Sequence, residues 1–109
     1  MKVKELSEKL NLKVLVEGDS ERDAEGCYCG DLLSWVMSRI KENDVWLTVM
    51  GNINAMGVAA LADAACIILT DNAPLDEEAK NRAVMQNINI LTCEDNNYKT
   101  ALKIGALIE

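Results

Sequence analysis

The sequence contains no histidine and no phenylalanine, and it has one proline among 109 residues. The absence of histidine excludes Ser-His and Cys-His nucleophile pairs, HExxH metal sites and the usual proton carrier near neutral pH. A small enzyme would have to work with Asp, Glu, Lys or Cys alone, which is the weakest of three interpretations of function. The composition therefore favours a protein that is not an enzyme and needs no cofactor.

Positive charge and long apolar runs are also scarce. The chain has 11 Lys and Arg against 18 Asp and Glu, a formal net charge of −7, so we expect no nucleic-acid partner, because sequence-independent binding needs a positive surface. The longest apolar stretch, residues 57–69, is interrupted by Asp63 and is shorter than the ~20 residues that span a bilayer. The charged start lacks the apolar core of a signal peptide. We therefore expect no membrane segment and a cytoplasmic location.

Half of the residues are hydrophobic and 27% are charged, which is ordinary for a folded domain. Short apolar segments alternate with helical patterns over the whole length, with no linker between them, so the sequence predicts a single domain over residues 1–109. The alternation predicts an α/β fold, a single layered domain whose largely parallel central sheet of about five strands is flanked by helices. The predicted strands cover residues 12–16, 25–29, 45–50, 65–70 and 88–92.

Several side chains have specific places in this scheme. Asp31 is expected to be the N-cap of a helix, whose apolar stripe on the sheet consists of Leu32, Leu33, Val36, Met37 and Ile40. Trp46 lies in a strand that is apolar throughout, so it is expected in the core. Trp35 lies beside the stripe and is expected to be partly exposed.

The start of the small-residue helix, residues 53–62, is the strongest candidate for an anion site. Asn52 and Asn54 flank it directly after a strand, and no acidic residue lies there. Ligands of open α/β sheets bind beyond the carboxyl ends of strands, and helix N-termini attract anions. Thr70 and Asp71 end the next strand, where Asp71 could hold a ribose hydroxyl. The alternative is ordinary capping by the asparagines and a turn at Asp71.

The cysteines allow a second interpretation. Cys27 and Cys29 share one face of a strand because side chains alternate with period two, and Cys93 could approach them. Free cysteines are among the most buried residues and behave as small hydrophobes, and the spacing lacks a paired CxxC pattern. The sequence therefore predicts packing and no metal site, with a cysteine-based metal or redox accessory protein as the alternative.

The order and spacing of several short strings resemble the DRTGG domain family from Val3 to about Leu107. These strings are residues 30–34, 44–48, 54–62 and 67–70, preceded by Gly26. The resemblance implies a stand-alone regulatory or ligand-sensing domain, without chemistry of its own and able to dimerise. Such domains occur fused to CBS-domain pyrophosphatases and phosphotransacetylases, and their fold is similar to the N-terminal domain of HPr kinase/phosphorylase. Among the residues that carry it, Gly26, Gly30, Asp31 and Thr48 complete the predicted ligand-binding set.

The stretch that gives the family its name is altered here. Residues 22–27 retain Arg22 and Gly26, but Glu25 and Cys27 replace the expected Thr and second Gly. If this loop held an anion, Glu25 would repel it.

We also predict a homodimer. The apolar content is high for a small domain with 4% aromatic residues, and Trp35 and Tyr98 would leave much of each ring exposed in a monomer. Small residues that allow close approach of backbones add to this, namely Ala55, Gly57, Ala59 and Ala62. The alternative is a monomer in which they fit helix to sheet. The sequence thus favours a non-enzymatic, homodimeric domain that senses a phosphorylated metabolite, such as an adenine nucleotide, or acts on a regulated protein.

Overall fold

The computed structural model describes residues 1–108, which form five helices and five strands, and the second strand directly follows the first. The helices are α1 (Val3–Lys9), α2 (Leu33–Arg39), α3 (Ile53–Ala62), α4 (Glu77–Met85) and α5 (Asn97–Ile108). The strands are β1 (Lys13–Val16), β2 (Gly26–Cys29), β3 (Asp44–Thr48), β4 (Cys66–Leu69) and β5 (Ile90–Thr92). Among these residues, no helix combines the length and the apolar character needed to cross a membrane.

The strands form one sheet in the order β1-β5-β4-β3-β2. Strands β2 to β5 are parallel, whereas β1 is antiparallel to β5. The predicted α/β fold with a largely parallel sheet of five strands is therefore confirmed. Because β1 runs in the opposite direction, it ends at the edge where the parallel strands begin, here called the amino edge.

Residues 17–25 then run along the amino edge from β1 to β2. Asn89, which is buried, holds this loop at its start: its Oδ1 accepts from the backbone N–H of Gly18 at 2.8 Å, and its Nδ2 donates to the carbonyl of Asp19 at 2.8 Å. The N–H of Ala24 donates to the carbonyl of Met1 at 2.7 Å. Because β1 is antiparallel and ends at the amino edge, the short loop of residues 17–25 is sufficient to reach β2 on the far side of the sheet.

Helices cover both faces of the sheet, and β3 and β4 are buried along their whole length. Helices α2, α3 and α4 cover the face with Trp46 and Ile67, and α1 and α5 cover the face with Val45 and Cys66. The indole N–H of Trp46 donates to the carbonyl of Gly30 at 2.9 Å. The expected burial of Trp46 is confirmed.

Helix α2 differs from its prediction. Its N-cap is Leu32 and no side chain caps it, so the predicted N-cap role of Asp31 is wrong. The helix buries one residue, Val36, and leaves Leu32 and Met37 exposed by 63% and 52%. The predicted apolar stripe is wider than the buried face because α2 packs mainly beside α3, which covers one side of the helix. Trp35 is 56% exposed, as expected.

Candidate functional site

The residues that follow β2, β3, β4 and β5 lie at one edge of the sheet, here called the carboxyl edge. Seven of the eight predicted ligand-binding residues belong to it, because they end these strands or follow them. The exception is Gly26, which begins β2 at the amino edge. Gly26 is therefore separated from the other seven residues by the length of a strand.

Asp31 and Thr48 form a close pair at the carboxyl edge. The hydroxyl of Thr48 donates to Oδ1 of Asp31 at 2.7 Å, and the same oxygen accepts from the N–H of Val49 at 3.0 Å. Thr48 is fully buried. The Asp31 carboxylate therefore joins the segment after β2 to the end of β3, which lies at Thr48 and not at the predicted Met50.

The asparagines at the start of α3 have different surroundings. Oδ1 of Asn52 accepts from the N–H of Ala55 at 2.9 Å, so this side chain caps the helix. Asn54 is exposed and lines an apolar groove between α2 and α3. The cap occupies one of the N–H groups that an anion would use.

Thr70 and Asp71 lie at the end of β4. Thr70 is fully buried, and its hydroxyl donates to Oδ1 of Asn97 at 2.5 Å. Asp71 and Asn72 both have left-handed backbones, with φ of 55° and 53°. Their N–H groups donate to the carbonyls of Asp95 and Cys93 at 2.9 and 2.8 Å. This turn leaves both side chains exposed to solvent.

Two cavities open beside this turn, with volumes of ≈ 340 and ≈ 490 Å³. They share Lys13, Asn72 and Thr92, and Lys80 lines the smaller cavity. Within residues 1–108, neither Lys13 nor Lys80 forms an ion pair. Sequence reasoning missed both lysines because they lie on β1 and α4, far from each other in the chain, and belong to no motif.

The larger cavity contains a third lysine that is already paired. Nζ of Lys103 donates to Oδ2 of Asp95 at 2.7 Å. This hydrogen bond raises the pKa of Lys103 and lowers the pKa of Asp95. The two unpaired lysines are therefore the better partners for a phosphate.

The family-specific stretch lies at the amino edge, where Arg22 joins two loops. Its guanidinium donates to Oδ1 of Asn43 at 2.6 Å, and to Oδ1 and the carbonyl of Asp63 at 3.0 and 2.9 Å. Asn43 and Asp63 have left-handed backbones, with φ of 66° and 57°. At Gly26, a Cβ would lie 2.5 Å from Oδ1 of Asp44. Both retained motif residues thus have structural contacts.

The cysteines do not gather into one site. Cys27 and Cys29 are exposed on β2, whereas Cys93 follows β5, three strands away in the sheet. Burial raises the pKa of Cys66 to about 12. The prediction that the thiols are packing residues is confirmed for Cys66 and wrong for Cys27 and Cys29, because β2 is an edge strand. Across residues 1–108, no three His, Cys, Asp or Glu side chains lie close enough to hold a metal ion.

The sheet, its two helix layers and the cavities at the carboxyl edge define a small α/β domain of the kind that binds ligands at strand ends. The chain belongs to the DRTGG domain family, whose model matches residues 5–107. The resemblance found in the sequence is therefore confirmed. No curated protein matches this sequence.

Among solved structures, the chain is similar to the CBS and DRTGG domains of the regulatory region of Clostridium perfringens pyrophosphatase. That crystal structure is a complex with an activator, diadenosine tetraphosphate. The TM-score is 0.70 at 11% sequence identity, and the match covers 94% of this chain. This chain spans 45% of the length of that one, and the likeness shows a shared fold.

Proposed function

We propose that this protein is a regulatory, ligand-sensing domain that catalyses no reaction and binds a small phosphorylated metabolite, such as an adenine nucleotide, at its carboxyl edge. The observation that carries the proposal is the pair of cavities that share Lys13 and Asn72 and include Lys80. The pyrophosphatase region of similar fold, which binds a dinucleoside tetraphosphate, supports the choice of ligand class. The cytoplasm, where thiols stay reduced, suits the four free cysteines.

The smaller cavity, which is lined by two lysines and one acidic residue, favours a phosphate over a neutral ligand, whereas the two lysines of the larger cavity are balanced by Glu94 and Asp95. A chain of net charge −7 repels anions at long range, so binding requires local positive charge. Lys13 and Lys80 provide it, and Asn72 adds a side-chain amide to the same cavity. Glu77 also lines the smaller cavity, and it would favour a ligand with a hydroxyl group beside its phosphate.

Thermal shift with ATP, AMP and diadenosine tetraphosphate tests the proposal. A ligand at a hundredfold excess over its Kd adds ~2.7 kcal/mol of stability, which raises the Tm of a domain of this size by roughly 10–20 °C. Lys13→Gln and Lys80→Gln should reduce the shift, whereas Lys9→Gln, an exposed change on α1, should not.

Asn54→Asp separates this site from the one predicted at the start of α3. A loss of binding in that variant, with no effect of the two lysine changes, would move the ligand to Asn52 and Asn54. No shift with any of the three nucleotides would contradict nucleotide sensing and would favour a domain that acts through a protein partner.

A homodimer is the second part of the proposal, and the layer of α2, α3 and α4 is its interface. Ten large apolar side chains are exposed among residues 1–108, and six of them lie in this layer. They are Leu32, Trp35, Met37, Leu61, Val84 and Met85. Contiguous exposed apolar surface marks interaction sites, and a two-fold axis would place this layer against its own copy.

The structure changes the reason for expecting a dimer. Ala55 and Ala59 are buried inside the domain, so these small residues fit α3 to the sheet. Tyr98 is 71% exposed, but it belongs to α5 in the opposite layer from Trp35. The two aromatic residues therefore do not share one helix layer, and the exposed apolar side chains carry the argument.

Sedimentation equilibrium at micromolar concentration tests the dimer. We expect twice the 12.0 kDa monomer mass for the wild type and for Leu102→Glu, an exposed change on α5. Met37→Glu and Leu61→Glu should give the monomer. A monomeric wild type would refute the dimer, and a dimer in both glutamate variants would place the interface elsewhere.

A further inference from the structure

Strand β2, the last strand of the sheet, carries two free thiols. Cys27 pairs in register with Val45 and Cys29 with Leu47, so both side chains lie on the face of the sheet that α1 and α5 cover, and α5 passes close to β2. Both cysteines are exposed because β2 is the last strand of the sheet. The two thiols are neighbours on this face because they lie two residues apart on one strand. Their mutual interaction lowers the pKa of Cys29 to about 7 and raises the pKa of Cys27.

This spacing suits a bridging atom better than a disulfide. Two steps along a strand separate the Cα atoms by roughly 6.6 Å, near the upper limit of about 6.8 Å for disulfides, whose Cβ atoms lie within about 4.5 Å. The backbone of β2 is fixed by its pairing with β3, which opposes the movement that a disulfide needs. A metal ion between the two sulfurs gives a longer bridge, because two metal–sulfur bonds of about 2.3 Å each take the place of one sulfur–sulfur bond.

The surroundings limit which ion fits. Within residues 1–108, no third Cys, Asp or Glu completes a metal-binding cluster with these thiols. Zinc needs four ligands, at least three of them from protein in known catalytic sites. Copper(I) prefers soft sulfur ligands, and two thiolates satisfy it. The cavity that Cys27 lines also contains Asp44, Glu25 and Glu42 against Arg39 and Lys41, so its net charge is negative and attracts a cation.

We propose that Cys27 and Cys29 form a two-thiolate site for one copper(I) ion. Binding makes two copper–sulfur bonds and releases both thiol protons to solvent, and no electron is transferred. The site is independent of the nucleotide proposal, because β2 forms the opposite side of the sheet from Lys13.

An anaerobic titration of the reduced 109-residue protein tests the site, with copper(I) held by the chromophoric chelator bathocuproine disulfonate. We expect the wild type to withdraw one copper(I) per chain. Cys27→Ser and Cys29→Ser should each weaken binding by roughly 100-fold or more, because loss of a ligand costs at least as much as loss of its supporting contacts. Cys93→Ser removes a half-buried thiol elsewhere and should bind like the wild type.

Three outcomes would overturn the proposal. The first is a wild type that withdraws no copper, and the second is full binding by both Cys27→Ser and Cys29→Ser. The third is tighter binding of zinc at one ion per two chains, which would indicate a four-thiolate site shared by two copies. Far-ultraviolet circular dichroism of each variant checks folding, and both substituted side chains are exposed.

Discussion

Replacement of Arg22 by methionine should destabilise the fold because it frees the amino edge. The change keeps an apolar stem of similar length and removes a guanidinium that donates to Asn43 and, twice, to Asp63. Hydrogen bonds to charged groups contribute ~1.5–3 kcal/mol each, and they are not additive at one side chain. The Asp63 carboxylate is 58% exposed, so the ion pair itself adds at most ~1 kcal/mol.

The net loss is smaller than the sum of these contributions. Nε of Arg22 is buried and has no partner within residues 1–108, so the native arginine already carries a desolvation cost. We therefore expect Arg22→Met to lower the free energy of unfolding by about 3 kcal/mol. That is a large part of the ~5–15 kcal/mol available to a domain.

Urea unfolding followed by circular dichroism measures this loss. Arg39→Met is the matched control, because Arg39 is exposed and stacks on the ring of Trp35 with 3.9 Å to its centroid. It should cost no more than ~1 kcal/mol. Arg22→Lys should rescue little, since an ammonium lacks the planar fork that reaches two loops. Equal losses below ~1 kcal/mol in Arg22→Met and Arg39→Met would refute the structural role of this arginine.

Three further predictions concern single positions. Gly105→Ala should stabilise the protein by ~0.5–1 kcal/mol, because an added Cβ in the interior of α5 meets nothing within 4 Å; thermal unfolding with no gain would contradict this. Gly51→Ala should cost at least ~2 kcal/mol, because its Cβ would overlap the carbonyl oxygen of Pro74; an unchanged Tm would show that this turn can move. Cys29 should react with iodoacetamide at a rate that rises through about pH 7, its pKa. Cys27→Ala should shift that midpoint towards the ordinary value of 9.0, and an equal midpoint in both proteins would exclude the neighbouring Cys27 thiol as the cause.

The alternation of apolar strands with helices was sufficient to predict the α/β class. It works because β3 and β4 are buried on both faces and carry almost only apolar side chains, a pattern that few other structures require. The antiparallel direction of β1 was not predictable in this way. It depends on the route of residues 17–25 and on Asn89, a buried amide within an apolar segment.

The candidate site was less predictable than the fold. Propensity assigns Asp31 to a helix N-cap, but its carboxylate instead accepts from Thr48 and Val49 on the next strand. Such a contact joins residues 17 positions apart and leaves no local pattern. The same is true of Lys13 and Lys80, which share a cavity because β1 lies beside β5.

The altered family stretch now has a physical explanation. The two motif residues that this chain retains both have structural roles. Arg22 reaches two loops, and a Cβ at Gly26 would force the Asp44 carboxylate to move. Glu25 and Cys27, which replace the expected Thr and second Gly, are both exposed. Oε2 of Glu25 accepts from the Asn43 amide at 3.3 Å, at the edge opposite the proposed phosphate site. Its charge therefore does not oppose a ligand held by the lysines of the carboxyl edge, because water and salt screen charges beyond about 10 Å.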